Sequence, residues 1–317
     1  MLTTANRISL MKSYAELDRL DIGVACGLKS EKYFEFFAQT ALALASRPEI
    51  LRFIVAVNNG ADRKAFEALS SRIAVDIVEP VLLPVSEDTT RASAGKLGLV
   101  RSYMHGVVLN ALATSFRSEF AVIADCDIAI VRKDWDEAMH AKLNNDVVMV
   151  GSGYPRENLA QNISAKYRNF PNVTFCMLRT EPLQTLKINF LPMGTVQIDA
   201  ALAKYLGRKK GEAVYLDVGA ELPVKLRRAG FRGAVMPLVW PDDYTAEVLK
   251  KPPQNWNAIA RLWWPHEFHL DGAVMCTHLG KSEHREFGQD PVAISWKEDV
   301  CRYLESAGVP LIAEPAK

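Results

Sequence analysis

The sequence predicts an α/β fold with a mixed, mostly parallel central sheet flanked by helices. Two observations lead to this prediction. Apolar stretches of strand length alternate with segments of helical periodicity in the first half of the chain, which is typical of βαβ units with right-handed crossovers. A long apolar run at residues 120–131 is interrupted only by Asp125 and Asp127, and such a run is typical of a central strand covered on both faces.

The first half of the chain begins with the order strand, helix, strand, helix, strand, and Ser30 is placed to cap the first helix. These elements are expected at residues 21–28, 31–47, 50–57, 61–70 and 74–83. A polar segment at 86–98 follows, and the order continues as helix, strand, helix, strand. These elements are expected at residues 99–115, 120–131, 133–141 and 146–151. The order predicts a sheet that opens with parallel strands.

The second half of the chain is less regular. Short strands on one side of the sheet are expected at residues 172–180 and 193–199, and a further strand at 232–239. Helices are expected at residues 200–208, 218–229 and 294–307, and Gly230 is placed to end the second of them. Residues 240–287 are rich in Trp, Pro and His and show little periodicity. We therefore expect an irregular region before the last helix.

Composition excludes several classes of protein. The chain has 317 residues and a net charge of +1, which gives no electrostatic footprint for nucleic acid. The five cysteines are scattered and form no Cys-x-x-Cys pair, so a zinc knuckle or a thioredoxin-type motif is not expected. An odd number of scattered cysteines fits a reducing cytoplasm better than a disulfide scaffold. The sequence indicates one large α/β domain or two ordinary ones.

The N-terminal residues 1–20 have no continuous apolar region of the kind found in secretory signals. No stretch of the sequence reaches the roughly 18 apolar residues that a membrane span needs. We therefore expect a soluble, cytoplasmic protein. The apolar and basic residues of this segment favour a surface helix packed on its own domain, and peripheral contact with the inner face of a membrane is the alternative.

Asp125 and Asp127 lie in the most apolar strand of the chain. A buried carboxylate is normally protonated, paired with a cation or bound to a metal ion. Ligands of open α/β sheets bind at the carboxyl ends of the strands, so the pair can meet a ligand if the strand ends or turns there. Carboxylates of this kind suit a hard divalent cation that also binds a nucleoside diphosphate. The alternative is a turn capped by two aspartates without metal.

The segment SEFAVIADCDIAIVRKDW at 118–135 resembles the core strand of GT-A glycosyltransferases, whose Asp-x-Asp motif holds Mn²⁺ or Mg²⁺ and the sugar nucleotide. The resemblance spans about residues 20–285 and implies the Rossmann-like GT-A fold. The segment VAVNNGAD at 55–62 is similar to the second-strand motif of family 2 enzymes, and it implies that Asn58 contacts the nucleobase. The segment ACGLKSEKYF resembles the family's first loop, which implies that Cys26 and Lys29 lie against the nucleoside.

The helix before the aspartate strand carries the pattern His-Gly-x-x-x-Asn at His105, Gly106 and Asn110. This pattern resembles a subset of bacterial GT-A enzymes and implies that His105 and Asn110 contact the diphosphate or the sugar. The alternative for His105 is packing or capping within its own helix.

The segment YLDVGAELPVKLRRAGFR at 215–232 resembles the family 2 segment that contains the general base of inverting members. Asp217 is the first candidate for that base and Glu221 the second, although Asp217 lies two residues earlier than the motif places it. Gly219 between them allows the backbone to bend. The alternatives are an N-cap for Asp217 and a helical ion pair with Lys225 for Glu221.

A histidine after a late strand commonly completes the metal site of GT-A enzymes, and His278 in the segment THLGKS matches it best. The resemblance implies metal ligation by Asp125, Asp127 and His278, with Lys281 placed to stabilise the leaving diphosphate. Asp127 is the first candidate for direct ligation, and Asp125 is also expected to contact the ribose of the nucleotide or a metal-bound water. His266 and His269 have the spacing of two ligands on one helix turn. They are the alternative, together with a packed acceptor wall that the tryptophans of this region would share.

The resemblance implies a metal-assisted transfer of a sugar from a nucleoside-diphosphate sugar to the hydroxyl of a glycan or glycoconjugate acceptor, with inversion. The alternatives are a sugar-phosphate nucleotidyltransferase and a non-catalytic nucleotide-sugar or glycan-binding protein. On this interpretation the chain divides into an N-terminal extension, a nucleotide-sugar-binding half, an acceptor-binding and catalytic half, and a C-terminal helix and tail. The expected boundaries are residues 1–20, 21–150, 151–287 and 288–317.

Overall fold

A computed structural model of the chain describes residues 11–27, 29–57, 63–80, 97–153, 169–239, 266–280 and 285–309. Strands and helices alternate through the first half of these residues, as predicted. The described strands are β1 (Leu20–Cys26), β2 (Leu51–Val57), β3 (Val75–Val78), β4 (Phe120–Asp125), β5 (Ile128–Ile130), β6 (Val147–Ser152), β7 (Phe175–Arg179), β8 (Gly194–Gln197), β9 (Ala213–Leu216), β10 (Arg232–Met236), β11 (Leu238–Val239), β12 (His266–Leu270) and β13 (Ala273–His278).

Seven of the eight described α-helices lie in segments predicted to be helical, and the helix at Thr180–Thr185 was not predicted. The eight are α1 (Glu31–Leu44), α2 (Arg63–Leu69), α3 (Leu97–Ser115), α4 (Trp135–His140), α5 (Thr180–Thr185), α6 (Ala200–Leu206), α7 (Glu221–Arg228) and α8 (Pro291–Ser306). Within the described ranges, no helix is long and apolar enough to cross a membrane.

The central sheet has seven strands in the order β10-β6-β7-β4-β1-β2-β3. Strands β1, β2, β3 and β4 pair in parallel, and β10 pairs in parallel with β6. Among the described strands of this sheet, β7 alone runs antiparallel to its neighbours, β4 and β6. The predicted mixed, mostly parallel sheet is confirmed. The expectation that residues 193–199 join it is wrong, because β8 pairs with β9 in a separate two-stranded sheet.

The apolar run at 120–131 forms two strands in two different sheets, and the prediction of one continuous strand is wrong. Strand β4 ends at Asp125, a turn follows at Cys126 and Asp127, and β5 then joins an antiparallel sheet of order β11-β12-β13-β5. The strand residues on both sides of the break are buried, so the hydrophobic pattern of the sequence gives no sign of it. The turn leaves the two carboxylates at the carboxyl edge of the central sheet, where a ligand can reach them.

The core lies on both faces of the central sheet, because alternate residues of a strand point to opposite faces. In β4, Val122 packs in the cluster that contains α1, and Ile123 packs in the cluster that contains α3. The ring of Phe116 lies so close to Gly23 that a Cβ there would come within 2.8 Å of it. Leu112 of α3 would lie 3.3 Å from the same Cβ, so the C-terminal end of α3 packs closely against β1.

Residues 1–10 of the expected N-terminal helix lie outside the described residues. The part that follows forms one 3₁₀ turn at Tyr14–Glu16, packed on the domain. The hydroxyl of Tyr14 donates to Asp136, and the guanidinium of Arg47 donates to the carbonyl groups of Tyr14, Ala15 and Leu17 at 3.1, 3.0 and 2.9 Å. The described part of this segment is thus packed on the domain, but as a 3₁₀ turn in place of the expected helix.

Candidate metal centre

Asp125, Asp127 and His278 converge at the carboxyl edge of the central sheet. One potential ligand atom from each lies within 4.8 Å of the other two. Nε2 of His278 is 3.2 Å from Oδ1 of Asp127, and the side chain of Asp127 is only 4% exposed. Asp125 is more open, with 24% of its side chain exposed. The cluster is therefore a group of oxygen and nitrogen donors that is closed on the Asp127 side and accessible on the Asp125 side.

Backbone pairing holds these three residues in place. The amide of Asp125 donates to the carbonyl of Thr174 at 2.8 Å, and the amide of Leu279 donates to the carbonyl of Asp127 at 3.0 Å. Strand β13 ends at His278, which pairs with Ile128 at the start of β5. Each ligand thus lies at the end of a paired strand or in the turn between two such strands, so little backbone movement is needed to bind an ion.

The donor set fits a hard divalent ion. In an octahedral site with metal–ligand bonds of about 2.1 Å, neighbouring ligand atoms lie about 3.0 Å apart and opposite ones about 4.2 Å apart. The 3.2 Å between His278 and Asp127 matches a neighbouring pair, and the 4.8 Å limit for the whole group requires only a small movement of one side chain. Two carboxylates and one imidazole suit Mn²⁺ or Mg²⁺ and leave positions for ligands from a substrate.

His105 on α3 faces the metal cluster. Its Nε2 is 3.6 Å from Oδ1 of Asp125. This nitrogen is buried and has no hydrogen-bond partner among the residues that the structure describes. An unsatisfied buried ring nitrogen is costly, so a polar partner is expected there when the site is filled. The structure brings His105 to the site, whereas packing within its own helix was the alternative.

Asn110 does not face the cluster with His105. Its Nδ2 donates to Oδ1 of Asn189 at 2.8 Å, and its Oδ1 accepts the amide of Phe190 at 3.0 Å. Both polar atoms of the side chain are therefore engaged by the segment before β8. Sequence reasoning missed Asn189 entirely, since a contact between residues 79 positions apart leaves no signal in local periodicity.

The two candidate bases lie in and after the turn that precedes α7. Asp217 is half-buried, and its Oδ1 accepts the amide of Val218 at 2.7 Å. Helix α7 is capped by Ala220, so Asp217 is not its N-cap. Gly219 has a φ of +69°, which is the left-handed region that favours glycine. The predicted bend of the backbone at this glycine is confirmed.

Glu221 is engaged in structural contacts. It forms an ion pair with Lys225, which was the alternative interpretation, and its Oε2 accepts the amide of Asn189 at 2.9 Å. The side chain is 18% exposed. These contacts leave Asp217 as the better placed of the two candidates for the general base.

Of the predicted nucleoside contacts, the structure describes Cys26 and Lys29. The carboxyl end of β1 places Cys26 next to Cys126, and a hydrogen bond with Cys26, together with burial, raises the pKa of the Cys126 thiol well above its usual range. Lys29 forms an ion pair with Glu286 at 2.8 Å. Asn58, which follows β2, and Lys281, which follows β13, lie outside the described residues.

The interpretation of His266 and His269 as ligands on one helix turn is wrong, because both residues lie on strand β12. Alternate residues of a strand share a face, and His269 lies beside Glu267 with Nε2 3.4 Å from Oε2. His266 pairs across the sheet with His278, and the centres of their rings are 5.5 Å apart. His266 therefore packs beside a candidate ligand.

No known protein-family model matches the sequence, and no curated protein matches it. The solved structures that match include a mannosyltransferase, PcManGT of Pyrobaculum calidifontis, in complex with GDP-Man and Mn²⁺. That match has 14% identity and a TM-score of 0.42, and it covers 92% of this chain and 75% of the other. S. aureus TarS, residues 1–349, matches with 16% identity and a TM-score of 0.38 over 67% of this chain and 64% of the other.

A third solved structure is glucosyl-3-phosphoglycerate synthase of Mycobacterium tuberculosis with Mn²⁺ and UDP-Glc. It matches with 12% identity and a TM-score of 0.36 over 55% of this chain and 59% of the other. The chain thus spans about three fifths of the length of the second and third of these proteins.

Proposed function

We propose that this chain is a cytoplasmic, metal-dependent glycosyltransferase. It would move a sugar from a nucleoside-diphosphate sugar to the hydroxyl of a glycan or glycoconjugate acceptor, with inversion at the anomeric carbon. The observation that carries the proposal is the convergence of Asp125, Asp127 and His278 at the carboxyl edge of the sheet, with Nε2 of His105 3.6 Å from Asp125. A hard-ion site beside a buried hydrogen-bond donor suits a diphosphate.

On the donor side, Asp125, Asp127 and His278 would hold Mn²⁺ or Mg²⁺. When bound, the ion supplies positive charge that offsets the charge of the departing diphosphate. With its proton on Nε2, His105 would donate a hydrogen bond to a phosphate oxygen on the open side of the cluster. The depth of Asp127 and the exposure of Asp125 support binding of the nucleotide from the Asp125 side.

The sequence resemblance supports the remaining donor contacts. Asn58 would contact the nucleobase, Cys26 and Lys29 would lie near the nucleoside, and Lys281 would meet the diphosphate. Because Cys26 is buried, we expect its side chain to pack beside the nucleoside. Lys29 would have to exchange its exposed ion pair with Glu286 for the nucleotide, and the loss of such a surface pair costs little.

On the acceptor side, Asp217 would remove the proton of the attacking hydroxyl. A carboxylate in this role must lie within hydrogen-bond reach of the hydroxyl in the bound complex. The bond from the amide of Val218 fixes one oxygen of Asp217. A carboxylate oxygen has further acceptor positions, so Asp217 can still accept the proton.

Thermal-shift and calorimetric titrations with UDP-, GDP- and CMP-sugars, with and without Mn²⁺, test the proposal. We expect either the UDP-sugars or the GDP-sugars to bind only with the metal, and the nucleoside diphosphate to be released when an acceptor is added. Release of pyrophosphate from a nucleoside triphosphate and a sugar phosphate would favour a nucleotidyltransferase. Binding without turnover across an acceptor panel would favour a binding protein. Absence of metal-dependent nucleotide binding refutes the proposal.

A further inference from the structure

We infer that Asn110, Asn189 and Glu221 form a positioning bridge that fixes the turn carrying Asp217 relative to the metal centre. The inference rests on the proposed function and deepens it, because it assigns the coupling between the donor side and the acceptor side of the site. None of the three residues touches the metal cluster in this assignment. Each holds the backbone of residues 189–191 or is held by it, and that backbone in turn holds the turn that carries Asp217.

The first part of the bridge joins α3 to the segment before β8. Asn110 donates to Oδ1 of Asn189 at 2.8 Å and accepts the amide of Phe190 at 3.0 Å. The same oxygen of Asn189 accepts the amide of Leu191 at 3.0 Å, so one side chain shapes the segment and ties it to the helix. At Gly106 a Cβ would lie 2.8 Å from the carbonyl oxygen of Phe190, so the helix touches this backbone directly.

The second part joins the same segment to the Asp217 turn. The carbonyl of Phe190 accepts the amide of Gly219 at 2.8 Å. The amide of Asn189 donates to Oε2 of Glu221 at 2.9 Å, which ties the first residue of α7 to the segment. The ammonium of Lys225, paired with Glu221, also donates to the carbonyl of residue 187 at 2.8 Å. The turn is thus held through its backbone, which leaves the Asp217 side chain for chemistry.

The bridge contains few contacts, so it can fix the distance between the metal centre and Asp217. His105 lies 3.6 Å from Asp125 and precedes Gly106 in the sequence. Gly106 contacts the backbone of Phe190, and the carbonyl of Phe190 accepts the amide of Gly219. Only a few contacts therefore separate the metal centre from the turn. A misplacement of about 1 Å between reacting groups costs on the order of 100-fold in rate. Glu221 is accordingly a positioning residue rather than a second general base.

Asn110→Ala, Asn189→Ala and the double variant test the bridge, with Mn²⁺ alone as the binding probe. Turnover is release of nucleoside diphosphate from the UDP- or GDP-sugar that the wild type uses. We expect Mn²⁺ affinity and the donor KM to stay at the wild-type value, while kcat falls about 10- to 100-fold. The double variant should lose no more than the larger single loss, because both residues serve one contact.

Asn189→Asp is the conservative rescue. Its oxygen can still accept the amides of Asn110 and Leu191, so we expect kcat close to that of the wild type. Asn144→Ala is the matched control, because Asn144 accepts the amides of Asp146 and Val147 at the opposite edge of the sheet. It should leave kcat unchanged.

Gly106→Ala tests the same contact if an asparagine variant folds poorly. Alanine stabilises a helix interior relative to glycine by about 1 kcal/mol, yet the new Cβ would push the Phe190 backbone away. We expect a folded protein with reduced kcat and faster hydrogen exchange at the Gly219 amide. Wild-type kcat in Asn110→Ala and Gly106→Ala overturns the bridge alone. A wild type that neither binds Mn²⁺ nor releases nucleoside diphosphate overturns the proposed function as well.

Discussion

Replacing Asp127 by Asn removes the most deeply buried donor of the metal cluster with almost no change in volume. Its carboxylate is 4% exposed and lies 3.2 Å from Nε2 of His278, within a group that also contains Asp125. In the absence of metal, two carboxylates crowd one site, so neutralising one of them removes a repulsion. We expect the melting temperature of the metal-free protein to be unchanged or slightly higher.

With metal, the same substitution should abolish stabilisation. Losing a residue that only supports a ligand typically weakens metal binding by about 10- to 100-fold, so losing a charged ligand should cost at least about 100-fold. At a Mn²⁺ concentration of about 100 times the wild-type Kd, binding stabilises the wild type by about 2.7 kcal/mol. For a chain of this size that is a shift of about 5 °C, and the variant should shift by less than about 1 °C.

The assay is a thermal-shift titration with Mn²⁺ on the wild type, Asp127→Asn and Asp146→Asn. Asp146 is the matched control, since its side chain is 72% exposed and lies at the opposite edge of the sheet. The control should respond to Mn²⁺ as the wild type does. An Mn²⁺ response of Asp127→Asn equal to that of the wild type would refute Asp127 as a ligand. A large destabilisation of the metal-free variant would show that Asp127 has a structural role instead.

Other substitutions and reagents test the packing around this site. The raised pKa of Cys126 keeps its thiol protonated at pH 8. Iodoacetamide should therefore label Cys301 in the native protein and Cys126 only after unfolding. Mass spectrometry after brief labelling measures this, and early labelling of Cys126 would contradict the prediction. Gly151→Ala would place a Cβ 2.4 Å from that of Cys176, so we expect a loss of about 1–3 kcal/mol in urea unfolding, and an unchanged midpoint would argue against the close contact of β6 and β7. Trp135→Ala removes a fully buried indole and should cost about 3–5 kcal/mol in the same measurement, with a cost below about 1 kcal/mol counting against its place in the core.

The fold was largely predictable because its strands and helices carry strong local signals. The first five elements alternate cleanly, and the structure places them within a few residues of the predicted bounds. The break between β4 and β5 was not predictable from hydrophobicity, because Ile128 to Ile130 are as buried as Phe120 to Ala124. A change of sheet partner alters the hydrogen bonding of the backbone but not the burial of the side chains.

The candidate site was predictable where a motif carries its own chemistry. Asp125, Asp127 and His278 were identified as a group, and the structure brings them together. Asn110 was expected at the diphosphate, yet its amide is engaged by Asn189 and Phe190. The same polar residue types bind backbone groups in some positions and ligands in others, and only the tertiary fold shows which role a given residue has. The misassigned helix around His266 has a similar cause, since four of the five residues of β12 are buried and the segment lacks the alternation of a half-exposed strand.

At the turn between β4 and β5, the chain leaves the seven-stranded central sheet and enters the four-stranded antiparallel sheet. Both flanks are paired, with Asp125 bonded to Thr174 and Asp127 to Leu279, so the amide protons of Asp125 and Leu279 should be among the slowest to exchange. An insertion or deletion in this turn would shift the register of β5 against β13 and misplace His278. On the proposed function, sequence changes that alter the choice of donor or acceptor are therefore best accommodated in the segments around this turn, while the length of the turn stays constant.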